Sequence, residues 1–169
     1  NRELVMVSEI ASEGCEPYVG LEHRFNGAIV MISLVPFRSG WKYGRRSWRY
    51  LYLDLGHQIG ALAASVRHFG LELTKMSAVE GLNRAMGMGP DETVAAVYGV
   101  GEVSQRGVKG LSIPLMQVQP TDYLLSDEVL HDAIRSAAVY TEIPAGGAWP
   151  FFERVNRLRR SARAFHPDA

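Results

Sequence analysis

The sequence predicts a sheet with helices packed on its faces. Two observations carry this. Two apolar, β-branched runs, "GAIVMISLVPF" (27–37) and "ETVAAVYGVG" (92–101), read as strands, the first as a buried central one. Between them, from Arg49 to Phe69, Leu55, Ile59, Leu62, Val66 and Phe69 recur at helical spacing. The chain has 169 residues, 47% of them apolar and 21% charged, which suits one globular domain, or one domain with an arm.

The elements follow in order. Residues 2–10, "RELVMVSEI", read as a short strand, and 11–26 as a polar loop punctuated by Gly14, Pro17 and Gly20. The apolar run that follows ends at a proline. Gly70 is placed to end the long helix in a left-handed conformation. "LELTKMS" (71–77) alternates as a strand does, and "AVEGLNRAMGM" reads as a short helix that stops near Gly87 and Gly89. After Gly101 the chain turns mixed and turn-rich, as a linker or arm does. Ser126, with acids behind it, caps a helix over 126–140. Residues 141–150 are a loop, and 151–169 a basic helix.

Charge and composition exclude several function classes. Lys+Arg and Asp+Glu are 18 each, so nothing global points to nucleic acid. No apolar run approaches the ~20 residues of a membrane span. The single cysteine, Cys15, rules out an internal disulfide framework and points to a reducing compartment, the cytoplasm. Cys15 reads as an ordinary thiol. The histidines make no metal-ligand spacing with acids or cysteine, so no metal is expected.

The long helix carries a second stripe, Gly56, Gly60 and Ala64, of minimal side chains. Glycine inside a helix costs roughly 1 kcal/mol relative to alanine, so two of them suggest a close backbone contact. The partner is another helix, another subunit, a flat cofactor, or simply the rest of the domain. His57 reads as a hydrogen-bonded interface histidine rather than a catalytic one. Lys42 lies between Trp41 and Tyr43, ahead of this helix. Desolvation there would favour a lysine that accepts a proton, and the Tyr43 hydroxyl could donate to a substrate atom. The competing reading is a surface lysine lying over aromatic rings.

The run "WKYGRRSWRYLYLDLGHQIGALAASVRHFGLELTKMSAVEGLNRAMGM", followed by "DETVAAVYGVG", resembles the core of the SagB-type branch of the nitroreductase superfamily. In that branch W-K-Y-G-x-R-x-Y-R-Y leads into a D-x-G-H helix, then a G-L-G strand, a short helix and an apolar strand ending in V-G. Trp41, Lys42, Tyr43, Gly44, Arg46, Arg49, Tyr50, Asp54, Gly56 and His57 match in order, and so do Gly70, Leu71, Gly87, Val100 and Gly101. The resemblance implies an α+β, nitroreductase-like fold, with a central sheet flanked by helices and a long central helix at a dimer or pseudo-dimer interface. It implies bound FMN and two-electron transfer through the flavin. Lys42 becomes the proton-abstracting base and Tyr43 its partner. The substrate is a small molecule or a modified peptide whose azoline ring is oxidised. Nucleic acid and membrane are not expected partners; a homodimer, or pairing with another nitroreductase-like domain, is.

The chain departs from the family pattern in an ordered way. The R-R-S-x-R-x-F helix that normally opens such a domain and holds the flavin phosphate does not precede Gly27. It is matched instead by "LRRSARAF" near the end, which makes Arg159, Arg160, Ser161 and Arg163 phosphate-binding candidates. The glycine pair beside the flavin is replaced by Ser77 and Ala78 after Met76, and an expected arginine after Gly101 is Glu102. The organisation implied is the second half of one nitroreductase-like domain (1–101), a linker or arm with one helix (102–150) and the first helix of a second domain (151–169). The chain is then a piece of a tandem protein, or a shortened member that completes its site with another chain. The alternative function is a flavin-free domain of the same fold with a structural or peptide-binding role.

Overall fold

The computed structural model describes residues 12–89, 91–116 and 129. The readings for 2–10, 126–140, 141–150 and the basic helix, with Arg159, Arg160, Ser161 and Arg163, lie outside the described residues.

The fold is mixed α+β. Its elements are β1 (Glu13–Gly14), β2 (His23–Leu34), α1 (Pro36–Tyr43), α2 (Ser47–His68), β3 (Thr74–Lys75), α3 (Leu82–Ala85), β4 (Thr93–Gly107) and β5 (Lys109–Gly110). Two 3-10 turns, Glu16–Val19 and Gly44–Arg46, join them. Strands β2, β4 and β3 make an antiparallel sheet in the order β2-β4-β3, and β1 pairs with β5 in parallel.

Among the described residues the strand read as central is an edge. β2 pairs only with β4 among the described residues, and most of it is half-buried. β4 is the central, buried strand. An apolar run records that both sheet faces are covered; it does not record whether both edges are paired. Leu34 ends β2, and Pro36 opens α1 instead of closing a strand at Phe37. Proline suits a first helical position, where its missing N–H has no intrahelical partner to lose.

The two faces of the sheet carry two cores. Leu51, Leu55 and Ile59 of α2 pack on Leu34, Ala96 and Tyr98. On the other face Val19, Leu82, Ala85 and Met86 pack on Val94 and Val97. Strict alternation would send Ala95 and Ala96 to opposite faces. The register between β2 and β4 skips Ala95, a bulge that turns both alanines toward α2.

Helix α2 ends as expected. Gly70 has φ +70°; its N–H donates to the Arg67 carbonyl at 2.9 Å, and the Leu71 N–H to Val66 at 3.0 Å. These two bonds satisfy carbonyls of the last turn. Of the predicted strand 71–77, only Thr74 and Lys75 join the sheet, extended by a bond from the Met76 N–H to Val97.

Gly27 and Gly101, read as strand ends, face one another inside the long β2–β4 pair, with φ of +146° and +140°. A Cβ on Gly27 would run into the Val100 carbonyl, and one on Gly101 into the Asn26 carbonyl. Only glycine permits this backbone at that separation. β4 continues past Gly101 to Gly107, and 109–115 returns to the domain. The Tyr18 hydroxyl donates to the Leu111 carbonyl at 3.2 Å, and the Leu115 N–H to Ala85 at 2.9 Å.

Candidate functional site

Lys42 and Tyr43 close α1, and Gly44, at φ +56°, turns the chain toward α2. The Lys42 Nζ stands 5.1 Å from the centre of the Tyr43 ring, within cation–π range. Tyr43 meets the edge of Tyr50 at 5.0 Å and 62°. The arrangement is that of a surface lysine lying over an aromatic ring, the competing reading of the sequence. Its surroundings differ from the expectation of a desolvated lysine. Lys42 is exposed, Trp41 is 69% exposed and Tyr43 46%. Among the described residues nothing shields Lys42 from solvent.

The first turns of α2 extend the same surface. Trp48 and Tyr50 are partly exposed, and the Arg49 guanidinium lies 5.4 Å from the Trp48 ring centre. Ser47, which starts the helix, is fully buried, and its hydroxyl has no hydrogen-bond partner among the described residues.

Among the described residues the two glycines of the small stripe on α2 pack against nothing. Gly56 and Gly60 are exposed, and a Cβ built on either would find nothing within 4 Å among the described residues. That removes one of the four partners the sequence left open, the rest of the described domain. His57 is exposed on the same side, with Nδ1 2.8 Å from the Leu53 carbonyl one turn back. Among the described residues its partner is its own helix. On the other flank of α2, Gln58, Ala61 and Leu62 face Val30–Ser33 of the β2 edge across an open groove of about 550 Å³.

Met76, Ser77 and Ala78 fall elsewhere. Met76 packs in the core on the sheet face away from α2, and Ser77 and Ala78 are exposed. A Cβ on Gly99 would meet the Met76 methyl and the Phe25 ring, so Met76 fills the space beside β4. Met76 therefore belongs to the sheet face opposite the one that α2 covers. The other flavin candidates, Arg159, Arg160, Ser161 and Arg163, lie outside the described residues.

Several buried polar groups went unread in the sequence. Ser33 donates a short hydrogen bond to the Glu92 carboxylate, whose other oxygen is buried without a partner among the described residues. Glu16, also buried, pairs with Arg24 at 3.3 Å and accepts from the Phe25 N–H at 3.3 Å. Burial, then the neighbouring Glu16, pushes the Cys15 thiol up, which suits an inert thiol. An acid's burial depends on its tertiary partners, which local patterning does not carry.

Among the described residues no group of three or more His, Cys, Asp or Glu could hold a metal, and no helix is long and apolar enough to cross a membrane. No family model, curated protein or solved structure matches the chain.

Proposed function

We propose that this chain contributes to an FMN-dependent oxidoreductase of the nitroreductase kind, with Lys42 and Tyr43 at the reacting centre. The flavin and the remaining half of the site are completed by a second copy or another nitroreductase-like domain. One observation carries the reading: the Lys42–Tyr43 pair stands on an open surface where α1 meets α2. The bare backbone of α2 at Gly56 and Gly60 supports it, because it leaves room for a closely packed second body.

When bound, FMN supplies the acceptor for two electrons. The protein's part is the proton. Converting an azoline to an azole removes a hydride and a proton from the ring. A bound flavin would supply the hydride acceptor, and Lys42 Nζ would take the proton. The Tyr43 ring stabilises the ammonium so formed, and Tyr50 braces Tyr43 edge-on. A second body over this face would exclude water and strengthen each of these contacts.

Lys42→Ala tests the assignment. The variant should retain FMN as the unaltered protein does, yet lose substrate-dependent bleaching of the flavin by an azoline-bearing peptide by ~100-fold or more. Undiminished bleaching would remove Lys42 from the chemistry.

A flavin-free domain of the same architecture is the second reading. It is favoured by the packing of Met76 into the core on the sheet face away from α2 and by the exposure of Lys42. It predicts that the full chain stays colourless with FMN at any concentration that permits self-association.

A further inference from the structure

We infer that the junction of α1 and α2 is a docking platform for an acidic peptide, and that the substrate is such a peptide. This rests on the proposed oxidoreductase reading for its chemistry, but not for its binding. The sequence around the junction is one-signed. From Gly27 to Leu53 it holds Arg38, Lys42, Arg45, Arg46 and Arg49, and no acid before Asp54, in a chain whose net charge is zero. Among the described residues Lys42, Arg46 and Arg49 make no ion pair, and all three are exposed. The positive end of the 22-residue helix α2 points the same way.

Aromatic rings sit between these cations. Trp41 and Tyr43 are exposed, and Trp48 and Tyr50 are partly so, all within ten residues of chain. Exposed Trp, Tyr and Arg together are the composition of interface centres, where rings supply contact area and guanidinium groups select carboxylates. The rings are tied to the cations and to each other, by the Lys42–Tyr43, Arg49–Trp48 and Tyr43–Tyr50 contacts, so the surface is already ordered before anything binds. Charge complementarity therefore selects an acidic occupant. The position of Lys42 and Tyr43 within the platform makes the occupant the substrate-bearing chain rather than a remote partner.

The test uses the full chain and three probes: a fluorescein-labelled peptide rich in Asp and Glu, the same peptide with Asn and Gln, and labelled oligothymidine. Anisotropy should show the acidic peptide binding about tenfold or more tighter than its amide counterpart. Raising salt from about 50 to about 300 mM should weaken it by a similar factor. R46E/R49E should abolish binding, and the milder R46Q/R49Q should weaken it at least about threefold, with circular dichroism unchanged. Equal binding of acid and amide peptides, or unaltered binding by both variants, would overturn the proposal. Tighter binding of oligothymidine than of the acidic peptide would also overturn it, in favour of single-stranded nucleic acid. FMN retention measured on the same samples separates the two claims. Peptide binding without flavin sinks the oxidoreductase reading alone, and flavin without peptide binding sinks this one alone.

Discussion

Helix α2 presents two faces built from the same helical period and opposite in character. One carries Leu51, Leu55, Ile59, Ala63 and Val66, all buried against the sheet. The other runs through Arg49, Leu53, Gly56 and Gly60, all exposed. The buried face has the side chains that stabilise a fold. The exposed face has an apolar side chain left in water and two glycines that weaken the helix with no contact among the described residues in return. The difference teaches that helix stability is spent on the exposed side, where the second body of the proposed site would sit.

The comparison can be broken most severely on the buried side. Leu55 is 1% exposed, and Leu55→Ala should cost about 2–5 kcal/mol in urea unfolding. A loss under ~1 kcal/mol would mean that α2 does not pack on the sheet as described. Glycine substitution sharpens the contrast, because one change should have opposite signs in two places. Gly27→Ala should destabilise by more than ~2 kcal/mol, through a positive φ and a clash with the Val100 carbonyl. Gly60→Ala should raise monomer stability by roughly 1 kcal/mol, from helix propensity alone. If α2 pairs closely with a second body, the same variant should lose dimer or flavin; stabilisation with both retained would leave the stripe without a role.

Smaller effects probe the polar groups. The Tyr98 side chain is fully buried and its hydroxyl has no partner among the described residues, so Tyr98→Phe should leave stability unchanged or raise it by about 1 kcal/mol. The smallest concerns Glu13. The Ser112 N–H holds its carboxyl below the ordinary value of 4.5, with help from the Ser112 hydroxyl. A lowered folded value stabilises the protein above the unfolded value, and the gain is lost as pH falls through the lower one. Glu13 is only half-buried, so the effect on unfolding is slight. An NMR titration should show the Glu13 carboxyl midpoint rise in Ser112→Ala.

The long elements were legible in the sequence, and their surroundings were not. The α2 period, its glycine stop and the two long strands follow from local patterning. Helix α1 was missed, although Pro36 after an extended residue and Gly44 at the far end frame it; the apolar run simply read on through Phe37. The edge position of β2 was missed because pairing partners leave no local signal. The facing glycines, Gly27 and Gly101, were visible only as punctuation, since their role is a contact between residues distant in sequence. At the candidate site the Lys42–Tyr43 pair was legible. The surrounding cations and rings become one surface only through the turn at Gly44–Arg46 that joins α1 to α2, which residue spacing does not carry.

The decisive measurement is the visible absorption spectrum of the full chain after incubation with FMN and removal of the excess by gel filtration. The proposed flavin site requires retained flavin bands in a fraction larger than the monomer, with Lys42→Ala retaining them equally. A colourless protein at every concentration would contradict it, and would leave the α1–α2 junction as a binding surface without redox chemistry.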